Sequence, residues 1–268
     1  MSKIMHAGRS LLELLLLIAL GLVPVISGLL VMVFQLEAKL AENAKISVQE
    51  AVYSVDQALN RLHETALQAL PFTGRPCDNV IGTLLDQVAS RSLVRSLTLI
   101  QGNQAYCSTT SDSLAELSSF AASGRQVELA YDSGAEASEL LVNFYLGSND
   151  NGVIVTAYAM QLRNELDGFQ DGFTLLLEFG ERYIWSHGDS RDRQPPSQSE
   201  FPESALSAKY GYQVKGGYGH GYTAREARQS MLQILPSLML VGIVTGSIVY
   251  LTLFRARANR RGTAATHA

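Results

Sequence analysis

Residues 11–34 read LLELLLLIALGLVPVISGLLVMVF, and residues 231–254 read MLQILPSLMLVGIVTGSIVYLTLF. The first stretch holds one charged residue, Glu13, and the second holds none. About 24 residues of α-helix are roughly 36 Å long, which is enough to cross a hydrocarbon core of about 30 Å. The two stretches therefore predict transmembrane helices, and they divide the chain into a short N-terminus, a central segment and a short tail.

Basic residues beside the two stretches orient the chain, because short loops rich in Lys and Arg stay on the cytoplasmic side. Lys3 and Arg9 precede the first stretch, and four arginines follow the second: Arg255, Arg257, Arg260 and Arg261. We expect residues 1–10 and the basic tail 255–268 to be cytoplasmic. A cleaved signal peptide is the alternative. The apolar region of a signal peptide is about 7–15 residues long, and the stretch 11–34 is longer than that, which favours a retained transmembrane helix. The prediction is a multi-pass membrane protein with both termini cytoplasmic and residues 35–230 on the outer side of the membrane.

The central segment 35–230 is acidic. It holds 15 Lys and Arg against 24 Asp and Glu. Binding to nucleic acid relies on a face rich in Lys and Arg. The composition therefore disfavours a nucleic-acid partner, and the length of about 195 residues fits one domain. The lipid bilayer is the partner that the sequence predicts most directly.

An amphipathic helix follows the first span. Its apolar residues recur at spacings of four and three, which indicates a helix seam: Val48, Val52, Val55, Leu59, Leu62, Ala66 and Ala69. Two interpretations are open. The seam packs on the sheet of its own domain, or it joins two subunits as a homodimer through the long helix.

The rest of the central segment predicts a second helix and then strands. The helix spans residues 80–88, a short helix spans 160–166, and a polar loop spans 188–203. Strands are predicted at 97–107 as a hairpin around Gln101-Gly102-Asn103-Gln104, and at 127–131, 140–146, 153–158, 173–179, 182–185 and 210–214. This order predicts an α+β fold with a mainly antiparallel sheet and a long N-terminal helix, similar to the PAS and Cache sensor families.

The chain has two cysteines, Cys77 and Cys107, and both lie in the central segment. Two thiols in an oxidising compartment usually form a disulfide, and closing this loop removes roughly 3–4 kcal/mol of unfolded-chain entropy. The bond is either a static staple or a reducible switch, and the spacing does not decide between them. Two thiols without nearby His or carboxylates are too few for a metal site, so we expect neither a metal nor another cofactor.

The segment Gly102-Asn103-Gln104-Ala105-Tyr106-Cys107-Ser108-Thr109, preceded by Cys77 and bracketed by two spans, resembles the CSS-motif domain. This is the N-terminal periplasmic sensor of bacterial cyclic-di-GMP phosphodiesterases. The resemblance implies that Cys107, Ser108 and Thr109 form the motif and that Cys77 is the disulfide partner of Cys107. The family has Ser at the third position, and Thr109 keeps the hydroxyl. The resemblance also implies a bacterial inner (plasma) membrane with residues 35–230 in the periplasm. It further implies a redox signal to a cyclic-di-GMP enzyme and a periplasmic thiol oxidase as a partner.

The family's catalytic EAL domain is not evident in this sequence. Neither Glu-Ala-Leu nor Gly-Gly-Asp-Glu-Phe occurs, and about 14 residues follow the second span, against the 50 or more of a domain. We therefore predict no catalytic residue and a sensor that is non-catalytic as it stands. One alternative is the sensory part of a phosphodiesterase whose EAL domain is missing from this chain. A second is a periplasmic receptor module for small ligands.

Overall fold

The computed structural model describes residues 2–265 except 112, 133–138, 149–150 and 170–171. The α-helices of this part are α1 (Ser2–Ala69), α2 (Cys77–Ala89), α3 (Leu114–Ala122), α4 (Met160–Asp167) and α5 (Tyr222–Ala265), with a short 3-10 helix at Leu70–Phe72. The strands are β1 (Val94–Gln101), β2 (Gln104–Ser108), β3 (Val127–Tyr131), β4 (Leu140–Ser148), β5 (Asn151–Tyr158), β6 (Phe173–Phe179), β7 (Arg182–Trp185), β8 (Gly188–Asp189), β9 (Glu200–Leu206) and β10 (Gln213–Tyr218).

The chain forms two compact units, and the first contains the start of α1 and all of α5, within residues 1–41 and 221–268. Both helices contain a segment long and apolar enough to cross a membrane, and those segments are almost entirely unburied. The two helices approach closely at glycines. A Cβ added to Gly242 would lie 2.6 Å from the Gly21 carbonyl oxygen, and one added to Gly28 would lie 2.7 Å from Leu238. Small residues at a helix crossing let two backbones pack in lipid.

The structure does not describe the basic side chains from which the membrane topology is predicted. These are Lys3, Arg9, Arg255, Arg257, Arg260 and Arg261. The predicted topology of the two termini therefore stays a prediction.

The second unit, residues 42–220, contains two five-stranded antiparallel sheets. The first has the strand order β2-β1-β5-β4-β3, and the second has the order β8-β7-β6-β10-β9. The predicted α+β class with antiparallel pairing and a long N-terminal helix is confirmed. Our expectation of one sheet is wrong, because β6 pairs with β10 and β7 and forms a second sheet.

The seam of α1 packs on its own domain. Val48, Val55, Leu59, Leu62, Ala66 and Ala69 are buried within the single chain. The His63 ring contacts Phe144 of the first sheet edge to face, and a Cβ on Gly216 of the second sheet would lie 2.7 Å from Val48. A homodimer through α1 stays a prediction, and it would have to use the opposite face, where Ile46, Tyr53 and Leu67 are exposed.

Two buried tyrosines attach the second sheet to α1. The Tyr212 hydroxyl contacts both the Val52 carbonyl oxygen (2.8 Å) and an Asp56 carboxylate oxygen (2.7 Å). The Tyr210 hydroxyl donates to the Asn60 side-chain oxygen at 2.6 Å. Burial raises the pKa of Tyr210 to about 12, and burial and the Asp56 carboxylate raise that of Tyr212 further. Both phenols are therefore neutral donors throughout the physiological range.

Candidate functional site: the disulfide hairpin

The β1–β2 hairpin carries Cys107 and Ser108, and Thr109 follows it directly; these are the residues that the resemblance assigns to the motif. Gly102 and Asn103 have φ of 56° and 62°, the left-handed backbone that a two-residue hairpin turn requires. Gln101 pairs with Gln104, and Leu99 pairs with Cys107. The register shifts between Leu99 and Ile100, which is a β-bulge. The unpaired residue is Tyr106, immediately before Cys107, so the regular pairing of this edge strand is interrupted next to the motif.

Cys77 and Cys107 form a disulfide with a Cα–Cα distance of 5.3 Å. Cys77 is the first residue of α2, and Cys107 lies in the edge strand β2. The two sides of the bond differ in environment: Cys107 is 1% exposed, whereas Cys77 is partly exposed. The bond joins the start of a helix to the outer strand of the first sheet.

The other two motif residues hold β2 to β1 by their hydroxyl groups. The Ser108 hydroxyl lies 2.8 Å from that of Thr98, directly across the strand pair. The Thr109 hydroxyl accepts from the Leu97 amide at 3.0 Å. The hydroxyls therefore continue the ladder where the strand ends, and Thr109 performs this role with the group that Ser also carries.

Two further contacts fasten the same strand, and sequence reasoning missed both. The Tyr106 hydroxyl accepts from the Gly74 amide at 2.9 Å, so the turn before α2 is tied to the hairpin a second time. The Ser118 hydroxyl of α3 accepts from the Ala105 amide at 2.8 Å. A helix prediction at 114–122 could have revealed the second contact, since Ser113 precedes this short apolar run.

A second polar cluster lies at β8. Asp189 is buried and accepts from Arg163 at 2.9 Å and from two nitrogens of Arg191 at 2.9 Å and 2.7 Å. The hydrogen bonds from Arg191 hold the pKa of the Asp189 carboxyl below its usual range, against the opposing effect of burial. The guanidinium of Arg191 also lies over the Tyr131 ring, 4.9 Å from its centroid. The cluster joins the second sheet to β3 of the first sheet.

No group of three or more His, Cys, Asp or Glu side chains within the described part of the chain is arranged to hold a metal ion. The chemistry that the hairpin offers is thiol–disulfide exchange at the Cys77–Cys107 bond. The four motif and partner positions, Cys77, Cys107, Ser108 and Thr109, lie together at one edge of the first sheet.

The family model of the CSS motif domain associated with EAL matches residues 40–230. Comparison with curated proteins gives no match. Among solved structures, the extracellular domain of soHK1S-Z6, assigned as a histidine kinase, is 12% identical with a TM-score of 0.49 and covers 74% of this chain and 98% of that one. The ligand-binding domain of the Campylobacter jejuni chemoreceptor Tlp3, in complex with 4-methylisoleucine, is 11% identical with a TM-score of 0.44, covering 68% and 92%.

Proposed function

Because this chain belongs to the CSS-motif family, a sensor domain associated with EAL, we propose that it is an inner-membrane sensor of thiol–disulfide state. The sensed bond is Cys77–Cys107, and the output is a change in cyclic-di-GMP turnover by an EAL-type phosphodiesterase. The observation that carries this proposal is the position of the disulfide between α2 and the edge strand β2. Breaking the bond releases one of the constraints on that strand.

The unequal exposure of the two cysteines supports a defined direction of exchange. A dithiol reductant attacks the accessible sulfur of a disulfide, and the other sulfur leaves as a thiolate. Here the partly exposed residue is Cys77, so the mixed disulfide forms on Cys77 and the buried Cys107 leaves. The second thiol of the reductant then attacks the mixed disulfide, which leaves the reductant oxidised and both cysteines reduced. A periplasmic thiol oxidase reverses the two steps.

Localisation follows from the two apolar helices and their basic flanks. Lys3 and Arg9 precede the first span, and four arginines follow the second. These basic flanks favour cytoplasmic termini and a periplasmic domain. An alkaline phosphatase fusion tests the topology. A fusion at Gly124, in a turn of the central domain, is expected to be active, and one at Ala265 inactive. The reverse pattern would refute the proposed localisation.

The enzyme that receives the signal is the EAL-type domain, either in the same polypeptide or in a separate chain. Hydrolysis of cyclic-di-GMP uses metal ions held by carboxylates in the cytoplasm. Residues 1–10 and 255–268 contain no Asp or Glu. We therefore propose that the purified 268-residue chain does not hydrolyse cyclic-di-GMP, and measured turnover by it would refute this part of the proposal.

The redox proposal is tested in cells that express the wild type, Cys77→Ser or Cys107→Ser. The cyclic-di-GMP level of both variants is expected to match that of the reduced wild type and to be unchanged by added dithiothreitol. Thr109→Val is the matched control, because it loosens the same hairpin and leaves both thiols in place. A dithiothreitol response that persists in both Cys variants would refute the disulfide as the sensed group.

A further inference from the structure

A cavity of about 460 Å³ lies between α3 and strands β3 to β5 of the first sheet. Ligand sites commonly have volumes of about 300–1,000 Å³. Its floor contains two buried polar side chains, Asn143 and Thr156, which are 6% and 1% exposed. Leu117 and Phe120 of α3 provide an apolar wall. Most of the remaining lining is polar or charged, so a ligand would be held mainly by hydrogen bonds and ion pairs.

The hydrogen bond between the floor residues orients the Asn143 amide. The Thr156 hydroxyl donates to the Asn143 side-chain oxygen at 2.9 Å. One lone pair of this oxygen is therefore occupied, and the NH₂ group on the other side of the amide supplies N–H donors for a ligand. An NH₂ group in a buried floor favours an acceptor such as a carboxylate oxygen.

The charges around the cavity are balanced. Three arginines and three acidic residues line it: Arg95, Arg125, Arg182, Glu116, Glu128 and Asp132. A purely anionic ligand would face three carboxylates, and a purely cationic one would face three guanidinium groups. A molecule with one charge of each sign can pair with both kinds of side chain.

Glu128 is the acid best placed to exchange partners. It lies 3.2 Å from Arg125 and 3.8 Å from Arg182. Arg182 comes from β7 of the second sheet and also donates to the Leu129 carbonyl oxygen of β3. A zwitterionic ligand could place its ammonium group on Glu128 and its carboxylate on Arg125 or Arg182. These new ion pairs would replace the existing ones, so no charge would be left unpaired. A ligand bound to Arg182 would also contact residues of both sheets.

We propose that this cavity binds a small zwitterion that carries one carboxylate and one ammonium group, the chemical class of free α-amino acids. The site is separate from the disulfide and does not rest on the redox proposal.

The test is thermal unfolding of the full chain in lipid nanodiscs with its disulfide intact. The probes are the proteinogenic L-amino acids, added one at a time, with the N-acetyl derivative of each compound that binds. A binder present at about 100 times its Kd is expected to raise the melting temperature by about 5 °C or more. Its N-acetyl derivative, which lacks the ammonium group, is expected to have no effect.

Variants locate the binding. Glu128→Gln keeps the size of the side chain and is expected to abolish the shift, and Asn143→Asp is expected to do the same by opposing the carboxylate. The matched control is Glu178→Gln, whose parent side chain pairs with Lys215 on the second sheet, and it should retain the full shift. The proposal is overturned if no amino acid shifts the melting temperature, if the N-acetyl form acts equally, or if Glu128→Gln responds like the wild type. Because this assay measures no thiol chemistry, its failure leaves the redox proposal intact.

Discussion

Thr109 and Leu97 are joined by two hydrogen bonds: the Thr109 amide donates to the Leu97 carbonyl oxygen at 3.0 Å, and the Leu97 amide donates to the Thr109 hydroxyl at 3.0 Å. The side chain thus replaces the backbone carbonyl as the acceptor at the end of the strand pair. Leu97 is fully buried, so its amide depends on this hydroxyl for a partner. The third motif residue therefore completes the backbone pairing of the hairpin.

Replacing Thr109 by Val removes the hydroxyl and keeps the shape. We expect the free energy of unfolding to fall by about 1–2 kcal/mol, because a buried amide loses its acceptor. Thr109→Ser keeps the acceptor and is expected to remain close to the wild type. Urea unfolding of the three proteins measures the difference. A loss in Thr109→Ser with none in Thr109→Val would show that the methyl group, and not the hydroxyl, is the stabilising part.

The two single cysteine variants should differ in reactivity. Cys107→Ser leaves the partly exposed Cys77 free, whereas Cys77→Ser leaves the buried Cys107. We expect a maleimide–polyethylene glycol reagent to label Cys107→Ser rapidly in its folded state. We expect the reagent to label Cys77→Ser only after that variant is denatured. Both variants should lose about 3–4 kcal/mol of stability from the opened loop. Equally fast labelling of the two folded variants would contradict the direction of exchange that we propose.

Acid should weaken the fold partly through Asp189. Its folded pKa is lowered by the hydrogen bonds from Arg191, so its contribution to stability is complete above the unfolded pKa of about 3.9 and is lost as the pH falls through the lower folded value. Asp189→Asn is expected to reduce stability at pH 7 by about 1.5–3 kcal/mol and to flatten the acid branch of the stability curve. The exposed Asp167→Asn is the control, and an acid branch that Asp189→Asn does not alter would rule out this role.

Alkali should weaken the fold through the buried tyrosines. The folded pKa of Tyr212 lies above its unfolded value, so the contribution is complete below about pH 10 and is lost as the pH rises further. Tyr212→Phe should lower stability at pH 7 by about 1–2 kcal/mol, because the contacts with Val52 and Asp56 are lost. Tyr212→Phe should also reduce the loss of stability that occurs above about pH 10. Tyr53→Phe, at an exposed position, provides the comparison, and an identical alkaline branch in all three proteins would refute the prediction.

Two glycines of α5 in the first unit, Gly242 and Gly246, give a matched pair of test and control positions. A Cβ at Gly242 would meet the Gly21 carbonyl oxygen, whereas one at Gly246 would meet no heavy atom within 4 Å. Gly242→Ala is therefore expected to separate the two helices, and Gly246→Ala to leave them in place. Spin labels at Val31→Cys and Met239→Cys measure the separation by pulsed electron resonance in nanodiscs, since the native cysteines are bonded to each other. An unchanged distance in Gly242→Ala would contradict the crossing.

Local patterns predicted much of this fold. The hairpin of β6 and β7 was predicted with its observed bounds, because Gly180-Glu181 separates two apolar runs. The helix predicted at 160–166 is α4. The α1 seam was also predicted, but the choice between its own domain and a second subunit required the packing of both sheets.

Other elements carry no clear local pattern. The polar loop predicted at 188–203 contains β8 and the first four residues of β9. β8 has only two residues, and β9 is an edge strand whose side chains are largely exposed. The strand predicted at 210–214 is displaced to Gln213–Tyr218, since Gly216 and Gly217 look like a loop in sequence but allow α1 and Gln198 to approach β10. The lining of the cavity comes from segments far apart in sequence, and no spacing pattern connects them.

The hydrogen bond from the Ala105 amide to the Ser118 hydroxyl connects α3 to β2, the strand that contains Cys107 of the disulfide. Other residues of α3 form the wall of the cavity. Thermodynamic linkage then requires reciprocity. If reduction of Cys77–Cys107 loosens this wall and weakens zwitterion binding by some factor, the bound zwitterion must make the disulfide harder to reduce by the same factor. The domain would then respond more strongly to an oxidising environment and an available solute together than to either condition alone.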